Sequence, residues 1–525
     1  MTGSNTAQGS EAVAAAWAKL RAVPHATLAD LFAGQTDRVE AMTRRIDWLV
    51  EPGSDLETGM LIDFAKTHLS DEVLTAFEAL AEAAGFADAR SSLFGGGIVN
   101  PSEGRAATHG ALRGSGTPAQ VEEAEALLAR MGMLVEAIHG TNGEGGALGE
   151  VKHCIAIGIG GSALGPALAI DALTRDLALV DVHVVSNIDG LALEQAFAAC
   201  DPATTLIALA SKTFTTTETM TNAESALTWL AENGVEDPGG QVVALTAAPE
   251  KAVEWGVDET RILPFPESVG GRYSLFSSIG FPLALAIGMN EFRAMLAGAK
   301  AVDDHFRHTE GRANAPLLAA FADQYYTRLR GCQTRAVFAY DERLALLPDY
   351  LQQLEMESNG KSVTADGRAV DGPTAPVTWG GVGTDAQHAV FQLLHQGTHL
   401  IPVDFIASIE PGDNLDPAHH RILLMNCLAQ GAALMAGKAA SDPARAYPGD
   451  RPSTTFLIED CDAASFGALI AFHEQRTFAN AVLMGINPFD QFGVELGKAI
   501  ARQIESGQGD FDPSTRALMA AAGLT

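Results

Sequence analysis

Two short stretches of this chain combine a carboxylate, a cation and amide side chains at helical spacing. In the first, Gln353 and Glu357 would share one helix face, just before Asn359-Gly360, a pair typical of a helix end. In the second, Gln491 and Lys498 would leave one face of a helix, two turns apart. A carboxylate and an ammonium group of this kind could act as a base and a cation on one substrate.

The charge and cysteine content of the chain exclude several classes of protein. Its 525 residues carry 34 Lys and Arg against 65 Asp and Glu, a formal net charge of -31 that disfavours nucleic acid and anionic membranes as partners. The five cysteines are scattered and form no C-x-x-C pair, so neither a disulfide framework nor a zinc site is indicated. The N-terminus has no basic start followed by an apolar core, as a signal peptide would. We therefore expect a protein of the reducing cytoplasm, without nucleic-acid or membrane partners.

The hydrophobic pattern changes near residue 150, after a glycine-rich stretch at 140–149 that is typical of a linker. Beyond it, short apolar, β-rich runs alternate with segments of helical period, which is typical of a parallel sheet with crossover helices. The predicted strands are 154–159, 182–186, 205–210, 241–245, 335–340, 403–408 and 454–459.

This pattern predicts an α/β protein with two doubly wound parallel-sheet domains, at 151–290 and 291–485. Residues 1–150 are predicted to form a helical N-terminal region. A C-terminal helical segment, 486–525, carries Lys498. Ligands are expected at the carboxyl ends of the strands.

Two loops at predicted strand ends could bind an anion. The first contains Gly161 and Ser162 in a glycine turn that lets the backbone approach a ligand. The second, 211–217, places hydroxyls and a cation at a helix start, which suits phosphate. Its candidate residues are Ser211, Lys212, Thr213 and Thr216. Taken alone, the first loop could equally be a plain strand-to-helix turn or, loosely, a dinucleotide turn, and the second a Ser/Thr-rich helix cap.

Four motifs, in this order, closely resemble the glucose-6-phosphate isomerase family. They are Gly-Gly-Arg-Tyr-Ser-Leu at 270–275, Gln-Gln-Leu-Glu-Met-Glu-Ser-Asn-Gly-Lys at 352–361, Gly-Thr-Asp-Ala-Gln-His at 383–388 and Gly-Val-Glu-Leu-Gly-Lys at 493–498. The chain departs from the family pattern at Phe276, Glu355, Asp385 and Phe492, where Trp, Asp, Asn and Trp are common. None of these differences removes a proton carrier.

The resemblance implies two sugar-isomerase (SIS-type) domains that interconvert glucose 6-phosphate and fructose 6-phosphate through a cis-enediol, without metal or organic cofactor. In this reading Glu357 is the base that moves a proton between the first two sugar carbons. Arg272 stabilises the negative charge that develops on the intermediate. His388 and Lys498 serve the opening of the sugar ring.

The resemblance also implies a homodimer in which the segment of His388 reaches into the partner's site. The sugar and its phosphate would be held by Gly161, Ser162, Ser211, Lys212, Thr213, Thr216, Gln353 and Gln491. Three alternatives are a sugar-phosphate sensor without activity, an isomerase that also accepts mannose 6-phosphate, and a dinucleotide oxidoreductase. A sensor could lose its proton carriers, whereas this chain retains Glu357, His388 and Lys498.

Overall fold

The computed structural model describes residues 3–49, 57–140, 149–175 and 178–524. Within these ranges the strands are Thr43–Leu49 (β1), Glu57–Asp63 (β2), His153–Gly158 (β3), Asp181–Val185 (β4), Thr205–Ala210 (β5), Val242–Thr246 (β6), Ile262–Pro264 (β7), Thr334–Tyr340 (β8), Val377–Val382 (β9), Val403–Ser408 (β10) and Ser453–Ile458 (β11). Residues 141–148 of the predicted linker lie outside the described residues.

The helices of the described ranges are Gly3–Ala22 (α1), Leu28–Gly34 (α2), Arg38–Met42 (α3), Asp71–Ala83 (α4), Phe86–Phe94 (α5), Pro118–His139 (α6), Leu164–Leu173 (α7), Gly190–Ala199 (α8), Thr217–Glu232 (α9), Pro249–Trp255 (α10), Phe281–His308 (α11), Ala315–Gln324 (α12), Leu347–Leu351 (α13), Gly383–Ala389 (α14), Phe391–Gln396 (α15), Ala418–Ala436 (α16), Ala463–Met484 (α17), Glu495–Glu505 (α18) and Pro513–Ala521 (α19). None of them is both long enough and apolar enough to cross a membrane.

The first sheet is parallel throughout and has the strand order β4-β3-β5-β6-β7. The chain leaves β3 for β4 on one side and then returns to form β5 on the other side. The loops that follow β3 and β5 therefore diverge at a topological switch point, where open α/β sheets form their ligand crevice. The four predicted strands of this sheet are confirmed, and the short β7 was not predicted.

The second sheet is mixed, with the order β1-β2-β11-β10-β8-β9. Strands β8 to β11 are parallel, as predicted, although β9 was not foreseen. The hairpin of β1 and β2 adds two antiparallel strands beside β11. The region 1–150, predicted as helical, thus also contains two strands at 43–49 and 57–63, which were not predicted. The signal was available in β1, where the buried Ile46 and Trp48 alternate with polar residues.

A buried cluster of ion pairs joins α12 and α17 to the second sheet. The guanidinium of Arg476 binds Asp323 at 2.6 Å and Asp404 at 2.7 Å. Arg335 in β8 reaches the same Asp323 at 3.2 Å and also binds Glu355, with Nη2 at 2.5 Å from Oε2. Every charge in the cluster has an opposite partner, which is the condition for keeping it out of water.

Candidate active site

A cavity of about 1120 Å³ lies beside the helix that follows β8. Among its lining residues are Gln353, Glu357, Lys361 and Gln491. The cavity therefore brings the carboxylate of the first sequence stretch together with the amide of the second. Among the described residues, its lining includes neither His388 nor Lys498.

The helix of Glu357 separates two carboxylates that are only two residues apart in the chain. After α13 it widens into a turn of π-helix at Gln352–Glu357, a feature common at functional sites. Gln353 and Glu357 both face the cavity, which confirms their predicted common face. Glu355 points the other way, accepts a hydrogen bond from Thr378 at 2.7 Å and is buried with Arg335. Only Glu357, with a side chain 21% exposed, is available to a ligand.

Arg272 lies on the wall of the site and is held from several directions. It is 3% exposed, and its Nε donates to Ser358 Oγ at 2.6 Å while Nη2 donates to the carbonyl of Asp490 at 3.1 Å. The remaining Nη1 donates to Gln491 Oε1 at 2.9 Å and lies 3.6 Å from Glu357 Oε2. Because the other donors are engaged by the protein, the guanidinium has a fixed position beside the carboxylate.

Lys361 is a second cation beside Glu357, and it was not assigned from the sequence. Its Nζ donates to the carbonyl of Glu357 at 2.9 Å and lies 3.0 Å from Asp490 Oδ1. Asp490 is held in turn by Ser102 Oγ at 2.7 Å. Burial lowers the pKa of Lys361, and the neighbouring Asp490 carboxylate opposes this shift. A usable signal was the position of Lys361, one helical turn after Glu357 in the second motif.

The glycine loop after β3 makes a close backbone contact with the turn that carries Arg272. A Cβ on Gly161 would lie 2.2 Å from the carbonyl carbon of Gly271, so a larger residue would force the two loops apart. Gly160 has a positive φ of 58°, and a Cβ there would lie 3.1 Å from Gln353 Nε2. The predicted loop residues Gly161 and Ser162 thus lie between the switch point and the cavity residues.

The loop after β5 is tied to the same turn through Lys212. Its Nζ donates to the carbonyls of Glu267 at 2.6 Å and Val269 at 3.1 Å, and burial lowers the pKa of Lys212. Within the loop, the hydroxyls of Ser211 and Thr216 are 3.1 Å apart. The loop with the predicted phosphate-binding residues is therefore hydrogen-bonded to the segment that leads into the turn of Arg272.

The same loop has a strained backbone and an open helix start. Phe214 is buried with φ at 51°, in the left-handed region that favours glycine, and its ring packs edge-on against Trp255. The hydroxyls of Thr213 and Thr215 are 2.9 Å apart. Thr216 is the N-cap of α9, but its side chain caps no N–H group within the described chain. The first turn of α9 can therefore offer its N–H groups to an anion.

The predicted pairing of Gln491 with Lys498 on one helix is wrong. Gln491 precedes a short 3₁₀ turn, and α18 begins only at Glu495. The amide oxygen of Gln491 accepts a hydrogen bond from Arg272, whereas Lys498 lies farther along on α18, and both residues are exposed. His388 is also exposed, near the end of α14.

The buried imidazole of His109 packs behind the turn of Arg272, with its centroid 4.8 Å from that of the Tyr273 ring. From this burial we predict that the fold is sensitive to acid. Burial, helped by the charge of Arg113, lowers the pKa of His109 to about 3. In the unfolded chain a histidine titrates near pH 6.5, so below that pH the unfolded state alone gains a proton. The contribution of His109 to the free energy of unfolding is fully present above pH 6.5. It falls by about 1.4 kcal/mol per pH unit as the pH decreases toward 3.

We expect His109→Asn to flatten the fall of the urea midpoint between pH 7 and pH 5 relative to the unsubstituted protein. His399→Asn, at an exposed histidine, is the matched control and should leave the slope unchanged. Equal slopes for the protein and the His109 variant would contradict the prediction.

The fold and site together define an α/β protein with a crevice at the switch point of its first sheet and a carboxylate held beside a fixed guanidinium. A family model described as phosphoglucose isomerase matches residues 63–519. The chain belongs to this family. It is 71% identical to the glucose-6-phosphate isomerase of Erythrobacter litoralis (strain HTCC2594), over 98% of this chain and 100% of the relative.

Other relatives agree in sequence and in structure. The glucose-6-phosphate isomerase of Zymomonas mobilis subsp. mobilis (strain ATCC 31821 / ZM4 / CP4) is 58% identical, over 97% of this chain and 98% of the relative. The crystal structure of a glucose-6-phosphate isomerase from Chlamydia trachomatis D/UW-3/Cx superposes with a TM-score of 0.85 at 28% identity, over 97% of this chain and 99% of that one. The likeness therefore extends over nearly the whole chain.

Proposed function

We propose that this chain interconverts glucose 6-phosphate and fructose 6-phosphate. The observation that carries the proposal is the Glu357 carboxylate, which faces the cavity 3.6 Å from the immobilised Arg272. Aldose–ketose isomerisation needs a base that takes a proton from one carbon and returns it to the next. It also needs a cation where the enediolate charge develops. The names of the relatives support the same reaction.

In this mechanism Glu357 removes the proton from carbon 2 of the open-chain aldose and delivers it to carbon 1. Arg272 stabilises the enediolate oxygen through Nη1, the nitrogen nearest the carboxylate. Gln353 and Gln491 hold sugar hydroxyls in the cavity. The phosphate is held in the crevice by Gly161, Ser162, Ser211, Lys212, Thr213 and Thr216.

His388 and Lys498 open the sugar ring before the proton transfer. An imidazole can protonate the ring oxygen and accept a hydroxyl proton near neutral pH, and an ammonium group can stabilise charge on that oxygen. Both side chains are exposed in the single chain, so they complete the site only when a further surface covers them. We assign that surface to a second copy of the chain.

The apolar face of α16 supports a homodimer. Ile422, Met425 and Leu428 follow one helix face and are 56%, 58% and 54% exposed, a pattern expected of a protein interface. The helix of His388 packs beside this face, where Gln387 Nε2 donates to Asn426 Oδ1 at 3.2 Å. Dimerisation through α16 therefore carries His388 to the partner.

A coupled assay of fructose 6-phosphate conversion tests the proposed reaction. We expect turnover in buffer that contains a chelator, because the cavity residues supply both the base and the cation. Binding of fructose 6-phosphate without turnover would overturn the proposal and favour a sugar-phosphate sensor. The assay belongs in reducing buffer, since all five cysteines lie in described residues and are free thiols.

Mixing two inactive variants tests whether His388 acts in the partner's site. Glu357→Gln and His388→Asn are each expected to be nearly inactive alone. After mixing and subunit exchange at equal amounts, about half of the dimers are hybrids, and one of the two sites in each hybrid has both wild-type residues. We therefore expect recovery of about one quarter of the wild-type activity, by the statistics of a two-fold symmetric dimer. Recovery of none, with hybrids confirmed by mass spectrometry, would place His388 in its own chain's site.

A further inference from the structure

Two histidines and a cysteine, far apart in the sequence, meet at the amino end of the first sheet. His153 begins β3, His183 lies in β4 and Cys200 follows the last residue of α8. In the parallel register, His153 lies opposite Asp181 and Ile155 opposite His183, so both imidazoles stand on one face of the sheet. One ligand atom from each of the three side chains lies within 4.8 Å of the other two.

The cluster includes a buried polar atom without a partner. His153 Nδ1 is inaccessible to solvent and makes no hydrogen bond to any described residue. Leaving such an atom unsatisfied destabilises a fold, unless a ligand occupies it. The ring of His183 is the neighbour, with 6.3 Å between ring centroids and 37° between planes, so the two rings are not packed face to face. The space between the rings is therefore bordered by one nitrogen of each imidazole and by the Cys200 sulfur.

We propose that His153, His183 and Cys200 bind one Zn²⁺ ion, with water at the fourth position. Two imidazoles and a thiolate are a donor set for zinc, whereas Mg²⁺ and Ca²⁺ prefer oxygen ligands. Tetrahedral zinc with bonds of 2.0–2.3 Å needs ligand atoms about 3.5 Å apart. The ligand atoms lie within 4.8 Å of one another, so side-chain rotations that move them about 1 Å closer together would give this spacing. On binding, the Cys200 thiol releases its proton to solvent, and the thiolate sulfur donates its electron pair to the ion.

The position of the site argues for a role in stability and not in the isomerisation. His153 begins β3 and Cys200 lies before β5, whereas the loops of the crevice follow the carboxyl ends of these two strands. From His153 to Gly158, β3 spans roughly 16 Å at the usual rise of a strand. The ion would tie β3, β4 and α8 together at the edge opposite the substrate.

Metal titration of the full-length protein tests the site directly. After treatment with a chelator and removal of the chelator, we expect one Zn²⁺ per chain to be taken up in competition with a chromophoric chelator. Co²⁺ in the same site should give the visible absorption of a tetrahedral ion and a thiolate-to-cobalt charge-transfer band. Cys200→Ser should abolish that band and weaken zinc binding by at least tenfold, and His183→Gln should weaken binding to a similar degree.

The double variant His419→Ala/His420→Ala is the matched control, because it removes adjacent histidines at the start of α16. It should bind zinc like the unsubstituted protein. Stoichiometric binding that survives Cys200→Ser, or that is lost in the control, would overturn the proposal, as would no binding at all. Turnover of fructose 6-phosphate shows that each variant is folded.

Zinc should also raise the thermal midpoint of the unsubstituted protein but not that of the Cys200 variant. It should leave turnover within about twofold, since the ion cannot reach the crevice. Loss of turnover when the chelator removes the ion would overturn the assignment of the site to a stabilising role.

Discussion

Replacing Glu357 by Gln is expected to lower the turnover of fructose 6-phosphate by about 10³-fold, the middle of the range for a general base. The amide keeps the shape of the carboxylate and its place 3.6 Å from Arg272, but it cannot accept a proton from carbon. The Michaelis constant should change little, because the proposed phosphate site does not include Glu357. In D₂O, the unsubstituted enzyme should also place deuterium on carbon 1 or 2 of the sugar, and the variant should not.

Glu355→Gln is the matched control for this prediction, because it makes the same change two residues away. It removes one carboxylate from Arg335, which keeps Asp323 as a partner in the buried cluster, so the free energy of unfolding should fall by about 1.5–3 kcal/mol. Turnover per folded molecule should stay within a few-fold of normal. The two variants thus separate chemistry from stability. Retention of a tenth or more of the turnover by the Glu357 variant would exclude this residue as the base.

Arg272→Lys is expected to lower turnover by about 10²- to 10³-fold, although it keeps the positive charge. A lysine has one nitrogen and cannot hold Ser358, the carbonyl of Asp490 and Gln491 at once. The charge then loses its fixed place beside Glu357, and the enediolate is stabilised less. The loss should fall on the maximal rate.

Arg105→Lys is the control for this change, since Arg105 binds Glu103 and Glu267 in partly exposed ion pairs and does not line the cavity. Its turnover should change by less than about threefold, because exposed pairs contribute little. A thermal melt shows whether the Arg272 variant is folded. A raised Michaelis constant with an unchanged maximal rate would show instead that Arg272 holds the substrate and does not stabilise the transition state.

The central strands were predictable because parallel strands buried on both faces form continuous apolar runs. Strands β5 and β10 begin and end where the sequence predicts. The hairpin of β1 and β2 was not predicted because the alternating pattern in β1 is short and rests on only two buried residues, Ile46 and Trp48. β7 was not predicted because it has only three residues, and β9 because its buried and exposed residues do not alternate regularly.

Motifs indicate which residues form the candidate site, but they do not predict the arrangements that tertiary contacts decide. The Gln491 stretch has a helical pattern, but its amide and the carbonyl of Asp490 bind Arg272, and this contact overrides the local preference. The opposite orientations of Glu355 and Glu357 depend on Arg335, which no local pattern reveals. The three proposed zinc ligands are separated by too many residues for any spacing rule.

A ribosome makes β2 about 390 residues before β11, the strand that β2 joins in the second sheet. At roughly 5–20 residues per second, β2 waits on the order of 20–80 s for its partner. During that interval Met60 and Ile62, which are fully buried in the finished sheet, have no place in it. The nascent hairpin is then an open edge that can pair with other chains. Cotranslational protection of the first 63 residues should therefore govern the yield of this enzyme, and slower translation should increase its dependence on chaperones.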